Sequence, residues 1–316
     1  MAKTKEISRR IKSVTSTRKI TKAMEMVAAA KMRKAIEAVL KTRTYANLSW
    51  ETVLHLVRVS ASGRQPLHPL LTLRPAIKKV AIILITSNRG MCGGYNSSII
   101  SKAKESIKKH NLETDFILVG TKGSTIRHQG YNISADFEKS DLITNSQEIY
   151  PVVKMILSDY TEQRYDKVFV AYTDFVNAVK QVPRVKQLLP VTLEAETEYL
   201  GIIGNDLKVG LTQVSATNKD QRHLTEDGFI YEYTFEPSPR EVLDQMIPRL
   251  IEMQLYQAFL EANASEHSAR MTAMHQATEA ADDMVSELTL FYNKARQAGI
   301  TAEIAEISAG ANALAE

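Results

Sequence analysis

From Ile7 the apolar positions Ile11, Val14, Met24, Val27, Ile36, Val39 and Leu40 recur at intervals that keep returning to three and four. That spacing lays one apolar stripe along an α-helix. The first glycine is Gly63 and the first proline Pro66. The segment 1–60 is therefore predicted to carry one helix from Ile7 to about Val59, roughly 55 residues and about 80 Å at 1.5 Å per residue. The other end of the chain, 238–316, reads alike. Pro237-Ser238-Pro239-Arg240-Glu241 offers a serine cap, a proline at the first helical position and a glutamate where a capping box wants it, so a helix is predicted to start at 239. Leu243, Ile247, Leu250, Ile251, Leu255, Phe259 and Ala262 follow at three and four, and Met284, Val285, Leu288, Tyr292 and Ala295 continue the stripe. Pro248 is expected to bend the first turns, and Gly299 to mark a weak point. Two stripes this long bury most simply on each other as an antiparallel coiled coil, with Ala28, Ala29, Ala30, Ala273, Ala277 and Ala281 allowing close approach. Periodicity alone leaves open an ordinary helical hairpin packed on a globular body.

The middle of the chain differs in kind. Residues 80–85 are an unbroken apolar run, the mark of a strand covered on both faces in a parallel sheet. Strands are also predicted at 116–119 and 167–172, and helices after the glycine-rich turn at 88–96, at 122–129 and at 150–164. Alternating strands and helices predict a Rossmann-like, doubly wound α/β domain over 76–192. Residues 193–236 read as a polar insertion, with a weak hairpin at Ile202-Ile203 and 207–211.

Charge sharpens this picture. The 316 residues carry a net +4, yet 1–43 hold thirteen basic residues against three acidic ones, which makes that segment +10 and leaves −6 for the remainder. A basic arm on a mildly acidic body points to an acidic partner surface. One cysteine, Cys92, supports neither an internal disulfide nor a paired zinc site. No apolar run approaches the roughly 20 residues that span a bilayer. The N-terminus has no apolar segment before a small-residue cleavage site, so a secretory signal is not expected; its basic, Ser/Thr-rich start is the one feature shared with a transit peptide.

Candidate chemistry fares poorly. The loop 87–96 joins a buried strand to a helix, where α/β proteins hold phosphates. Its glycines, like those of 120–124, match neither G-x-G-x-x-G nor G-x-x-x-x-G-K-[ST], so a structural turn is expected. Cys92 lacks a nearby histidine and reads as a packed thiol. His267 and His275 stand two helical turns apart, too far for a helical zinc pair, and Asp282-Asp283 reads as solvated surface. Two other classes stay open on these grounds: an α/β nucleotide-binding enzyme with basic helical arms, and a basic-helix nucleic-acid binder, the latter weakened by the want of interleaved aromatics.

Longer strings carry a resemblance. Lys5-Glu6-Ile7, 10–14 and above all 19–33, KITKAMEMVAAAKMR, closely resemble the N-terminal helix of F-type ATP synthase gamma subunits. The segments 265–274, SEHSARMTAM, and 292–297, YNKARQ, with Ile300, Thr301, Glu303, Glu306 and Ile307, resemble that family's closing segment. The loop 88–96, NRGMCGGYN, resembles its glycine loop, and only 193–228 departs.

The resemblance implies a non-catalytic central shaft. Its terminal helices would enter the bore of the alpha–beta hexamer, and its α/β domain would sit beside the epsilon subunit and the membrane c-ring. The shaft would couple ion-driven rotation to the catalytic cycling of the partners, and regulate ATPase activity and proton flow. It needs no cofactor, no metal, no small-molecule substrate and no nucleic acid. Carried over by position, Lys22 and Met24 are the expected lower contacts with alpha and beta, and Arg296 and Gln297 the upper ones. Arg89, Cys92 and Tyr95 are expected on the epsilon and c-ring side. Without cysteines in 193–228 the thiol switch of chloroplast members is not expected. A resemblance that begins almost at Lys5 favours a bacterial assembly, peripheral at the cytoplasmic face of the inner membrane.

Overall fold

Helix α1 (Ala2–Ala61) is followed by β1 (Lys79–Ile85), α2 (Tyr95–His110), β2 (Glu113–Val119), β3 (Asn132–Phe137), α3 (Tyr150–Thr161), β4 (Lys167–Phe175), β5 (Gln181–Leu189) and the closing helix α4 (Pro239–Ala315). The computed structural model describes residues 2–61, 68–71, 74, 76–110, 112–143, 145–191, 236 and 239–315. The hairpin predicted at 202–211, the insertion around it up to 235 and the Ser238 cap lie outside the described residues. The chain divides into two units, residues 1–30 with 270–316, and residues 31–269.

In the 31–269 unit the five strands form one sheet in the order β3-β2-β1-β4-β5. The first four run parallel and β5 pairs antiparallel with β4. β1 lies at the centre, Ile83 level with Ile117 of β2 on one side and Val170 of β4 on the other. The alternation of its side chains builds two cores. Ala81, Ile83 and Ile85 pack with Val152, Val153 and Ile156 of α3, Ala35 and Val39 of α1, and Leu243, Ile247, Ile251 and Leu255 of α4. Val80, Ile82 and Leu84 pack with Ile99, Ile100 and Ala103 of α2. Each fully buried isoleucine or leucine contributes roughly 2 kcal/mol. The doubly wound arrangement predicted for the middle of the chain is present, with the terminal helices supplying much of one layer.

Three details differ from the sequence expectation. Residues 122–129 form a 3-10 helix, Thr121–Gln129, rather than an α-helix. It is entered at Gly120, φ 94°, and left at Gly130, φ 82°. Strands β3 and β5 were not predicted, because both lie at sheet edges where one face stays half exposed and the apolar run is interrupted. Pro183 sits within β5, tolerated because that strand has only one hydrogen-bonded neighbour. Helix α3 stops at Thr161, where Arg164 N–H turns back to the Asp159 carbonyl through Gln163 at φ 61°. α4 begins at Pro239 as predicted, with Glu241 in its first turn, and runs on through Pro248 and Gly299.

The other unit is a helix pair. The Arg18 guanidinium meets Asp282 at 2.5 Å, the Thr21 and Thr278 hydroxyls meet at 2.9 Å, and Glu25 lies 3.3 Å from His275 Nδ1. Partner numbers that fall on one side as they rise on the other define an antiparallel register, each pair adding to 299 or 300. The less exposed positions of α1 include Ile7, Ile11, Val14, Arg18, Thr21, Met24 and Ala28; those of α4 include Met274, Ala277, Ala281, Val285, Leu288, Tyr292 and Ala295. Steps of three and four in alternation average close to 3.5 residues, the repeat of a left-handed coiled coil. The Arg18–Asp282 pair is exposed and worth at most about 1 kcal/mol, so it sets register more than stability.

Two outcomes follow from this geometry. Thr21→Cys combined with Thr278→Cys is expected to close an intrachain disulfide under mild oxidation, seen as faster migration on a non-reducing gel, whereas Thr21→Cys with Ser286→Cys, two turns along α4, stays reduced. Just past the carboxyl end of β2, a Cβ at Gly120 would come within 2.5 Å of the Thr86 carbonyl oxygen, while one at Gly130 meets nothing within 4 Å. Urea unfolding is expected to show Gly130→Ala costing about 1 kcal/mol for its positive φ alone, and Gly120→Ala costing about 3 kcal/mol or more.

Candidate partner-contact surfaces

Pairing through a narrow seam leaves most of both helices facing outward. On α1, Lys5, Arg9, Arg10, Lys12, Lys19 and Lys22 are exposed. On α4 the exposed charges at mid-length are Glu279, Asp282, Asp283 and Glu287. One helix is basic and its partner acidic, so the pair presents a different potential in different directions. Exposed apolar side chains interrupt both, Ile20, Met26 and Val27 on α1, Met284, Leu290 and Phe291 on α4.

The expected lower contacts lie close together on α1. Lys22 is exposed and bonds Glu25 at 3.0 Å, while Met24 is half buried in the seam. The expected upper contacts, Arg296 and Gln297, are both exposed on α4. The register sets them level with residues 2–4, the first three of α1. From 299 onward α4 lies beyond the first described residue of α1, and its 17 residues to Ala315 extend about 25 Å. Along this stretch Ile300, Ile304 and Ile307 are 48%, 62% and 73% exposed. At i, i+4 and i+7 they form one apolar edge. The sequence held that spacing, but only the pairing register shows that, among the described residues, none of α1 lies level with the edge.

In the 31–269 unit the loop after β1 is packed with its own side chains. The Ser87 amide donates to Asn96 Oδ1 at 3.0 Å, and Asn96 Nδ2 donates to Ser87 Oγ at 2.7 Å and approaches Cys92 Sγ at 3.3 Å. The Ser87 hydroxyl also donates to the Arg89 carbonyl at 2.8 Å. Met91, φ 61°, is held in the left-handed region and stands exposed at the loop tip. Of the three residues expected on the epsilon and c-ring side, Arg89 is exposed, whereas Cys92 and Tyr95 are buried. The Tyr95 hydroxyl donates to the Ala262 carbonyl of α4 at 3.2 Å. Sequence reasoning passed over Met91, whose positive φ no local pattern announces.

Among the described residues no helix is long and apolar enough to cross a membrane. Also among them, no group of three or more His, Cys, Asp or Glu side chains is placed to hold a metal ion.

Comparison with known proteins covers the whole length. The ATP synthase family profile matches residues 3–314. The ATP synthase gamma chain of Pelotomaculum thermopropionicum is 41% identical over 315 residues, spanning 99% of this chain and 100% of that one. That of Legionella pneumophila is 38% identical over 318 residues, again covering 99% and 100%. Among solved structures, the chain is similar to one in the central stalk and c-ring of the Tetrahymena thermophila mitochondrial ATP synthase, at TM-score 0.56 and 24% identity over 82% of this chain and 99% of that one. A second, in the rotor of the Euglena gracilis mitochondrial ATP synthase, aligns at TM-score 0.59 and 17% identity over 95% and 99%. These two likenesses speak for the fold, and the full-length bacterial relatives for the family. The chain belongs to the ATP synthase gamma-chain family, the non-catalytic central rotor stalk of the F1Fo enzyme.

Proposed function

We propose that the 2–30 and 270–315 helix pair stands in the bore of a hexamer of alpha and beta subunits, and that the α/β unit is seated on the epsilon subunit and the c-ring at the cytoplasmic face of the inner membrane. The observation that carries this reading is the apolar edge Ile300, Ile304 and Ile307 on a stretch of α4 that, among the described residues, has none of α1 level with it. An isolated helix with such an edge needs an apolar surround, and a sleeve of partner side chains supplies one without fixed hydrogen bonds that would arrest rotation. The basic flank of α1, Lys12, Lys19 and Lys22 with Arg9 and Arg10, suits an acidic lever on each beta subunit. Attraction between opposite charges acts over about 8 Å at physiological salt and tolerates a moving partner. The acidic stretch 279–287 of α4 repels the same lever when it faces it. As the shaft turns, each beta subunit meets attraction and then repulsion, and its open and closed states shift by the difference in contact energy.

In this account Arg296 and Gln297 hold the upper shaft against a partner loop, with the guanidinium free to form a charge-assisted pair. Lys22 and Met24 meet the lower contact. On the α/β unit, Arg89 meets the epsilon and c-ring side directly, and Cys92 and Tyr95 act there by holding the loop in shape.

Replacing Arg296→Ala with Gln297→Ala is expected to lower ATP synthesis by the reassembled enzyme about tenfold or more, the effect of one lost charge-assisted contact plus a second hydrogen bond. Circular dichroism of the isolated variant stays at wild-type helix content. A variant that loses helix, or one that synthesises ATP at the wild-type rate, contradicts the contact role.

A further inference from the structure

Residues 254–268 of α4 are buried on every side, fifteen in succession, although Gln254, Gln257, Glu261, Asn263, Ser265, Glu266, His267 and Ser268 are polar. A helix enclosed all round needs a neighbour in each direction. On one side is the end of the sheet, where Ser265 Oγ donates to the Thr173 carbonyl at 3.0 Å and Ser268 Oγ to the Ala178 carbonyl at 2.7 Å. On another is α1, whose Thr42 hydroxyl donates to Gln257 Oε1 at 2.7 Å. The third neighbour is the short strap that follows β3, residues 138–142.

That strap holds both helices at one level. Lys139 Nζ lies 2.6 Å from Glu266 Oε2 of α4, with side chains 2% and 5% exposed. The Asp141 carbonyl lies 2.9 Å from His267 Nε2, and the Asp141 carboxylate accepts from Lys31 Nζ of α1 at 2.7 Å. The Lys31 bond, with Arg89 and His267 also facing the carboxylate, holds Asp141 below the usual carboxylate range against the opposing effect of burial. The glycine loop braces the strap from behind. Asn88 Nδ2 donates to the Lys139 carbonyl and its Oδ1 accepts from the Lys139 amide at 3.4 Å, so one side chain grips the strap backbone twice. The Tyr95 ring lies 5.9 Å from the Lys139 ammonium while its hydroxyl bonds α4. A buried ion pair gives little net stability over apolar residues of the same size, because desolvation offsets the attraction. What it adds is a unique geometry, since a helix that rolls or slides strands two buried charges.

We propose that the 138–142 strap, bracketed by Asn88 and Tyr95, is a torque clamp: Lys139 and Asp141 are positioning residues that lock α4 and α1 to the sheet, so that a turn imposed on the α/β unit passes into both helices without slip. The proposal rests on the rotor reading and goes further by giving the glycine loop a mechanical task. Its partners on the helices, Lys31, Glu266 and His267, are among the first and last residues of the 31–269 unit.

The test uses the chain assembled with its alpha and beta partners, and the whole enzyme in proton-tight vesicles. Val179, 87% exposed in the β4–β5 turn, becomes the bead attachment as Val179→Cys, since the one native cysteine is buried. The hexamer is fixed and the angular spread of the stalled bead recorded for Glu266→Gln, for Lys31→Met, and for the charge-swapped Lys139→Glu/Glu266→Lys. Glu266→Gln and Lys31→Met are expected to widen the spread and to lower ATP synthesis per proton gradient several-fold, with hydrolysis by the alpha–beta–shaft subcomplex near wild type. The charge swap is expected to recover both. Should Glu266→Gln fail to fold, Lys31→Met, at a half-exposed position, decides alone. A wild-type chain that turns normally beside variants of unchanged spread and coupling overturns the clamp, whereas a wild-type chain that does not assemble with alpha and beta overturns the rotor reading and the clamp together.

Discussion

The pairing of α1 residues 2–30 with α4 residues 270–298 along one narrow apolar seam is the interaction on which the shaft depends. Neither helix could keep its stripe in water alone, and no single contact in the seam is strong. Arg18 with Asp282 is an exposed pair, Thr21 with Thr278 a neutral hydrogen bond, and the rest is the meeting of small and medium apolar side chains at intervals near 3.5 residues. Strength comes from repetition. Because only every third or fourth residue is used for pairing, the remaining faces are free to differ, one basic and one acidic, and that asymmetry is what a shaft needs if it is to tell three identical partners apart.

In the 31–269 unit the same two helices serve another purpose. They become one layer of an α/β sandwich, contributing Ala35, Val39, Leu243, Ile247 and Ile251 to the core beneath β1. Open α/β sheets commonly place ligands beyond the carboxyl ends of their strands. Here that region holds the chain's own side chains. Asn96 and Cys92 fill the loop after β1, and Tyr95 and Ser265 join that end of the sheet to α4. A fold widely used to bind nucleotides is thereby turned into a mount for two helices.

Legibility in the sequence followed the range of the interactions. The helices could be read because α1 is free of glycine and proline over sixty residues and α4 begins with an unambiguous Pro239 and Glu241. The central strand could be read because six successive residues are apolar and buried on both faces. Edge strands β3 and β5 could not, since alternate side chains of β3 are exposed, while β5 is mostly half buried and interrupted by Pro183. The enclosed stretch 254–268 reads as an ordinary amphipathic helix, because the strand ends, the strap and the α1 residue that bond Ser265, Ser268, Glu266, His267 and Gln257 lie far away in the chain. Lys139 meets Glu266 across 127 positions, and no local pattern records such a partner. Cys92 and Tyr95 stand out by resemblance, but their burial, which separates holding a loop from touching a partner, is a tertiary fact.

The central claim is that α4 is paired up to about residue 298 and offers its last turns to a partner. Hydrogen exchange of the α4 backbone amides, followed in the free chain and again after assembly with alpha and beta subunits, tests it most directly. The account predicts slow exchange over 270–298 in both states, and rapid exchange over 299–315 that becomes slow on assembly. Equal protection of the two stretches in the free chain, or rapid exchange of 299–315 that persists in the complex, would contradict it.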